Sequence, residues 1–342
     1  MKTINSVLIA LVASVALTLS ACGETPQSSI EDAQEAFENR EYRIARAHLA
    51  DIFTNGEATD EVYRLQMRLM LELGEGYAAM AAIEKLSDTA LTQDDRRIAT
   101  AHALLLQGKP EAALELYGDV EPTDFSSEDF RMTLWALGQI GQEVEFAAGM
   151  DEALQRFPDN VHLNAMAAEH LIDLDNADDA EEYAQVALKN DPENFQALVA
   201  NGRLDIVQGK LDQALVHYLR ASEIYPHHVT PWAAASGLQL DLGQVEQAGE
   251  TLRVALANHA SDPFLQWQKS RHALMTNDMI AARTALEAAR RAYRDNDEFT
   301  LFSAQVEDKA GNRELALAEY KRYLRAVGSD QQVEARVVAL EN

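Results

Sequence analysis

Turn-forming residues recur along the chain at a nearly constant interval of 34 residues, with one step of 33 residues. They are Arg40, Gly74, Gly108, Gly141, Asp175, Gly209, Gly243, Asn277 and Gly311. All but Arg40 are Gly, Asn or Asp, which tolerate the left-handed backbone of a tight turn. The residue five positions after each turn is alanine in eight of the nine cases, and Phe146 is the exception. The pattern predicts nine helix–turn–helix units whose helices approach closely at small residues.

Two short amphipathic helices cannot bury their apolar faces alone, so neighbouring units must stack into a continuous core. The pattern therefore predicts an all-α solenoid of about nine repeats. Residues Val333, Val337 and Leu340 follow at helical spacing and predict a C-terminal capping helix within residues 331–342. The repeats are placed near 26–59, 60–93, 94–126, 127–160, 161–194, 195–228, 229–262, 263–296 and 297–330.

Three features of the chain resemble the tetratricopeptide repeat. They are the period, the order of small, turn, alanine and larger apolar positions within it, and three prolines. Pro158, Pro192 and Pro226 stand seventeen residues after their turns, where they stop the second helix of a unit. The resemblance covers about residues 26–330. It implies a right-handed solenoid in which the first helix of each hairpin lines a concave surface.

The N-terminal segment differs from the rest of the chain. Residues 1–21 contain Lys2, an aliphatic run over residues 7–19 and two small residues before Cys22, the layout of a secretory signal peptide. The run is shorter than the about 20 apolar residues of a membrane span, although an uncleaved anchor is the alternative. Residues 19–22 also resemble the lipobox of bacterial lipoproteins.

That resemblance implies that Cys22, the only cysteine, is lipidated and becomes the first mature residue. Residues 22–25 then form a short tether. In lipoproteins of this kind, Gly23 in place of Asp favours the outer membrane. We therefore expect a protein of the bacterial cell envelope, anchored by lipid to the outer membrane and facing the periplasm.

The chain is strongly acidic, with a formal net charge of −27 that becomes −27 − 1 = −28 once the signal peptide and its Lys2 are removed. This excess argues against nucleic acid as the partner. The sequence also contains no HExxH, GxSxG, CxxC, phosphate-binding glycine loop or dinucleotide fingerprint. We therefore predict that the protein is not an enzyme, has no catalytic residues and takes no cofactor.

Two short segments resemble metal-binding sequences. The acidic stretch 173–179 lacks the turn glycine and distal glutamate of a calcium loop, so it is interpreted as a solvated turn and helix start. His227 and His228 follow Pro226 in a loop between repeats and would need further ligands brought in by folding. The sequence nominates none, so we predict a solvent-exposed loop and no metal site.

The residues ten and six positions before each turn face the concave surface in the family that the chain resembles. These eighteen positions hold five arginines and one acid, whereas the whole chain has 56 acidic and 29 basic residues. Arginine and tryptophan often carry binding energy at interfaces. The predicted ligand groove consists of Arg64, Arg68, His102, Arg131, Trp135, Arg203, Trp267 and Arg271. In the alternative interpretation, the tryptophans are partly buried packing residues and the arginines pair with neighbouring carboxylates.

These features favour a membrane-anchored scaffold that binds a protein or peptide partner in an envelope assembly or export system. The alternative is a binder of an anionic polymer, such as an exopolysaccharide or peptidoglycan fragment, along the arginines of the groove. Binding of a polymer would weaken steeply with salt, whereas binding of a protein anchored on tryptophan would depend on salt less. An enzyme of unfamiliar type is the third hypothesis.

Overall fold

The computed structural model describes residues 28–56 and 58–342. The predicted signal peptide, Cys22 and the tether lie outside the described residues. The described part of the chain is helical throughout, with nineteen α-helices, one short 3₁₀ helix and no strand. None of its helices combines the length and the apolar character that a membrane crossing requires.

Eighteen of the helices form nine consecutive hairpins, and the nineteenth closes the C-terminal end. The hairpins are α1 (Ile30–Glu38) with α2 (Tyr42–Thr54), α3 (Asp60–Glu72) with α4 (Gly76–Lys85), α5 (Gln93–Leu106) with α6 (Pro110–Glu115), α7 (Ser127–Ile140) with α8 (Glu143–Arg156), α9 (Val161–Asp173) with α10 (Ala177–Asn190), α11 (Phe195–Val207) with α12 (Leu211–Ile224), α13 (Val229–Asp241) with α14 (Val245–Asn258), α15 (Pro263–Met275) with α16 (Met279–Arg290), and α17 (Asp297–Lys309) with α18 (Arg313–Val327). The last helix is α19 (Gln331–Glu341). The predicted fold class, a solenoid of about nine hairpins with a capping helix, is confirmed.

The turn inside every hairpin uses a left-handed residue. All nine predicted turn positions have positive φ, between 57° and 79°. Arg40 is among them, with a φ of 59°. For a residue with a Cβ atom, this left-handed conformation costs on the order of 1 kcal/mol of stability. The 34-residue period of the sequence is therefore the period of these turns.

The start of each first helix is also determined locally. Eight of the nine first helices follow a Ser, Thr, Asn or Asp whose side chain accepts a hydrogen bond from a backbone N–H of the first turn. Such a cap contributes about 1 kcal/mol. The exception is α13, where His228 occupies the cap position without a side-chain cap bond.

Packing between repeats relies on small residues. The eight alanines five positions after the turns are buried, at no more than 1% exposure. Each first helix packs against its own second helix, and each second helix packs against the first helix of the next repeat. At the C-terminal end, Val333, Val337 and Leu340 of α19 lie against Tyr320 of α18, so the cap closes the apolar core.

The third repeat departs from the pattern. Its second helix, α6, has only six residues, and a 3₁₀ helix at Pro122–Asp124 follows it. An edge-to-face stack of Tyr117, Phe125 and Phe130, with centroids 5.5 and 5.3 Å apart, fills the space of the missing turns. Arg156 of the next repeat donates to the carbonyl of Pro122 at 2.7 Å and holds this irregular segment in place.

The first repeat also touches the sixth and seventh repeats. The guanidinium of Arg40 lies 4.3 Å from the centroid of the Tyr225 ring and donates to its hydroxyl at 3.3 Å. Arg43 donates to the side chain of Asn258 at 3.3 Å, and the rings of Tyr42 and His227 meet edge to face. We call this contact, between the 39–46 region and the loops around 223–228 and 258–259, the seam. The solenoid is therefore curved enough for its first repeat to contact the sixth and seventh repeats.

Candidate functional site

A cleft of about 560 Å³ opens between α7, the start of α8, α9 and the start of α11; we call it the middle cleft. The half-buried indole of Trp135 forms part of its wall, with Met166 and Phe146 as further apolar lining. Polar groups border the same space, among them Arg131 and Glu169. A cleft with apolar walls and a few directed polar groups is the usual form of a ligand site.

Two arginines in or beside the middle cleft are ion-paired. Arg131 lies 2.7 Å from Glu128 one helical turn earlier, and Arg203 reaches Asp173 at 2.6 Å from the neighbouring helix. Glu169 makes no side-chain hydrogen bond within the described residues. Burial raises the pKa of its carboxyl, which the nearby Arg203 partly offsets. A donor group of a bound partner could satisfy this carboxyl.

His102 of α5 adjoins the middle cleft. Its ring meets Trp135 edge to face, with centroids 5.5 Å apart. Burial, together with the positive charge of Arg131, lowers the pKa of His102 to about 4. At neutral pH the imidazole is therefore uncharged, and it supports the indole as a packing partner.

A second opening, of about 460 Å³, adjoins the first three repeats; we call it the N-terminal cleft. Arg68, Glu72 and His102 line it together with Phe37. The guanidinium of Arg68 lies 4.7 Å from the centroid of the Phe37 ring, an arrangement that stabilises the cation. Of the predicted groove residues, Arg131 and Trp135 thus line the middle cleft, whereas Arg68 and His102 line the N-terminal cleft.

The structure places most of the predicted groove arginines against partners. Arg131, Arg203 and Arg271 are ion-paired, the last with Asp241. Arg64 donates to the carbonyl of Ala90 at 2.8 Å. For the three paired arginines the alternative interpretation, pairing with neighbouring carboxylates, describes the arrangement. The inner surface consequently carries less positive charge than a count of arginines suggests.

Trp267 requires a correction. Its side chain is only 7% exposed and packs among Phe264, Tyr293 and Phe299, with the Tyr293 ring centroid at 4.9 Å. It is a core residue of the eighth and ninth repeats and not part of a ligand groove. Aromatic side chains that follow it in the chain cover the face that was expected to be open.

A second correction concerns His227 and His228. The expected solvent-exposed loop is wrong, because both side chains are half-buried and both ring nitrogens of His227 are buried. Folding also brings Glu72 to them. The acidic stretch 173–179, by contrast, lies as expected: Asp175 forms the turn and Asn176 caps α10.

Several cleft residues escaped the sequence analysis. His162 and Gln196 line the middle cleft and stand thirteen residues before the turns at Asp175 and Gly209. Residues three apart share a helix face, so this position extends the inner stripe by one helical turn. Glu128, the partner of Arg131, occupies the same position. Glu128, His162 and Gln196 would all be included if a third inner position were considered in each repeat.

Stacked helical hairpins with an open cleft on their first helices define the chain as an α-solenoid, a class of proteins whose extended surfaces bind other molecules. Models of the tetratricopeptide repeat match residues 148–202 and residues 270–330. Both segments therefore resemble the tetratricopeptide-repeat family, and the nine hairpins of one period share the helical-hairpin architecture of such repeats. Proteins of this family are generally non-enzymatic interaction scaffolds.

Solved structures share the fold at low sequence identity. The APC/C hetero-tetramer Cut9–Hcn1 aligns over 91% of this chain and 74% of the other, with 13% identity and a TM-score of 0.58. PilF of Pseudomonas aeruginosa aligns over 62% of this chain and 97% of its own, with 16% identity and a TM-score of 0.55. PilW, a widely conserved type IV pilus biogenesis factor, aligns over 62% and 98%, with 15% identity and a TM-score of 0.54. The comparison with curated proteins found no match.

Proposed function

We propose that the protein is a lipid-anchored scaffold of the bacterial envelope that binds a segment of a protein partner in the middle cleft. The observation that carries the proposal is the half-buried Trp135 at a cleft of about 560 Å³. A large aromatic surface beside directed polar groups is the usual centre of a protein interface. Catalysis is no part of the proposal.

The charges of the cleft favour a protein segment over an anionic polymer. Arg131 and Arg203, which a polyanion would need, already have carboxylate partners. Glu169 instead presents an acceptor, which suits an amide, lysine or arginine of a peptide. The segment we expect therefore combines an apolar side chain that packs on Trp135 with a donor that reaches Glu169.

Two observations support the envelope as the location. Residues 1–22 have the layout of a lipoprotein signal with Cys22 at its end. The fold is also shared with PilF and PilW, and PilW is described as a pilus biogenesis factor. A lipidated first residue with a three-residue tether would hold the solenoid close to the membrane surface.

The test of binding compares the lipidated protein with two variants in capture experiments from its native envelope. Trp135→Ala should weaken capture of the main partner at least about 30-fold, the effect of removing about 2 kcal/mol at an interface centre. Ile280→Ala, which truncates an 82% exposed side chain of α16, should leave capture unchanged. Circular dichroism establishes that both variants are folded. Equal capture by folded Trp135→Ala would overturn the proposal.

Two further measurements address the alternatives. Binding that falls with salt as steeply as a multi-phosphate or polysaccharide contact, and that survives Trp135→Ala, would favour the anionic polymer. The lipid anchor is tested separately with Cys22→Ser, which should move the protein from the membrane to the soluble fraction. If the Cys22→Ser protein stays in the membrane fraction, the anchor is wrong whatever the cleft binds.

A further inference from the structure

Three side chains with metal-binding chemistry lie together beside the seam. Glu72 ends α3 in the second repeat, whereas His227 and His228 lie between the sixth and seventh repeats. One carboxylate oxygen and one nitrogen of each imidazole lie within 4.8 Å of one another. Within residues 28–56 and 58–342, this is the one group of at least three His, Cys, Asp or Glu donors with such spacing.

His227 lacks the hydrogen bonds that its position calls for. Both of its ring nitrogens are buried and have no partner among the described residues. An unsatisfied buried polar group costs about 1–3 kcal/mol. The ring is nevertheless held in place, with the Tyr42 ring centroid at 4.4 Å and the His228 ring centroid at 4.2 Å. A positioned imidazole with a buried, unused lone pair is suited to coordinate a metal.

The other two donors are also held in defined orientations. His228 stacks on Phe195 with ring centroids 4.1 Å apart, and the hydroxyl of Tyr42 donates to Glu72 at 3.3 Å.

We propose that Glu72, His227 and His228 form a zinc site that ties the second repeat to the loop between the sixth and seventh repeats. Two imidazoles and one carboxylate are a known ligand set for tetrahedral zinc, which leaves a fourth position for water. Donor atoms around such an ion lie about 3.3 Å apart, given bonds of about 2.0–2.1 Å. The three donors, which lie within 4.8 Å of one another, must move closer together to bind the ion.

The charges around the site accept a divalent cation. The cavity that adjoins His227, of about 730 Å³, is also lined by Glu41, Glu75 and Glu223. Three arginines, Arg40, Arg43 and Arg46, line the same cavity. The carboxylates offset the neighbouring arginines, so the ion would enter a region without net positive charge.

The proposed ion would act as a clasp. Glu72 stands about 150 residues before the two histidines in the chain, and the seam otherwise consists of ring contacts and side-chain hydrogen bonds of the 39–46 region. Glu72 also lines the N-terminal cleft, so the clasp would fix the position of one wall of that cleft. Zinc is therefore expected to stabilise the curled form of the solenoid.

The test is a zinc titration of the full lipidated chain in detergent, followed by calorimetry and by metal analysis after dialysis. The natural protein should bind one zinc ion per chain. Glu72→Gln and His227→Ala should each weaken this binding at least about 10-fold. His48→Ala, which removes a half-buried histidine that contacts Ser28, is the matched control and should bind like the natural protein.

Hydrogen exchange supplies a second readout that does not depend on affinity alone. Zinc should slow exchange in peptides that cover residues 39–46 and 223–228 of the natural protein, and should leave exchange unchanged in folded Glu72→Gln. X-ray absorption at the zinc edge should show imidazole ligands. Absence of stoichiometric zinc binding, or equal binding by Glu72→Gln and His227→Ala, would overturn the proposal.

Discussion

Gly76, at the start of α4, lies close against α5 of the next repeat, and its replacement by alanine tests this packing. A Cβ atom on Gly76 would lie 2.5 Å from the carbonyl oxygen of Ala103 and 2.8 Å from the Cβ of Leu106. The oxygen is a backbone atom of α5 and the Cβ is bonded directly to that backbone, so no side-chain rotation moves either atom away. The Gly76 carbonyl also accepts a hydrogen bond from the Gln107 side chain at 3.0 Å. Alanine at position 76 must therefore push α4 and α5 apart.

The expected cost follows from this geometry. Overpacking by one methyl group typically costs about 1–3 kcal/mol, and a clash with backbone places Gly76→Ala near the upper end. The control is Gly138→Ala, in helix α7. A Cβ there would meet Phe146 at 3.7 Å, an ordinary contact. Replacing a helical glycine without a clash gains about 0.5–1 kcal/mol.

Hydrogen exchange resolved by peptide is the suitable assay, because repeat arrays need not unfold in one step. Gly76→Ala should speed exchange in α4 and α5 by a factor of about 30–150, which corresponds to about 2–3 kcal/mol. Gly138→Ala should slow exchange in α7 or leave it unchanged. Unaltered exchange in α4 and α5 of Gly76→Ala would refute the close packing of the second and third repeats.

Three further predictions concern charged side chains. Arg97→Met should destabilise the protein by about 3 kcal/mol in urea unfolding. The reason is that the carboxylate of Asp129, which is only 2% exposed, loses its ion pair with Arg97 at 3.0 Å. A loss below about 1 kcal/mol would show that Asp129 does not need the arginine. His102 has a folded-state pKa of about 4, below its unfolded value of about 6.5, so the unfolded state binds more protons between these values. Stability should fall by about 2–4 kcal/mol as the pH drops through this window, and His102→Gln should remove that part of the loss when the two proteins are compared at pH 7 and pH 4. Arg40→Gly relieves the strain of a left-handed backbone but loses the stack of the guanidinium on Tyr225. We expect the loss of the stack to dominate and hydrogen exchange in α2 to become faster. Slower exchange would mean that the seam contact contributes less stability than the strain removes.

The repeat period and the ends of the first helices could be predicted because they are set by local chemistry. Every residue singled out as a turn, including Arg40, adopts positive φ. Each first helix but one starts at a capping side chain that precedes it by one residue. Turns and caps depend on interactions within about six residues, so a single sequence contains them.

The identity of the groove residues was less predictable. Trp135 and Trp267 both occupy inner positions of the repeat, yet the first is half-buried at a cleft and the second is buried in the core. The difference comes from Tyr293 and Phe299, which reach Trp267 from the segment beyond α16. Which neighbour covers an inner side chain depends on packing between repeats, and the position within one repeat does not determine it.

The seam could not be anticipated from the repeat pattern. The ring centroids of Tyr42 and His227 lie 4.4 Å apart, although 185 residues separate the two residues in the chain. Their approach depends on the rotation accumulated over the intervening repeats, including the shortened α6. The sequence placed His227 in a loop correctly, but its burial follows from the curvature of the whole solenoid.

The central claim is that a partner segment lies in the middle cleft, and site-specific photocrosslinking in intact cells tests it most directly. A photoreactive phenylalanine analogue would replace Gln139, an exposed residue that lines the cleft, and in a separate strain Ile280 on α16. We expect one dominant crosslinked envelope protein from position 139 and none from position 280. Loss of that product in the Trp135→Ala background would be the expected companion result. A partner that crosslinks from position 280 and not from position 139 would contradict the account.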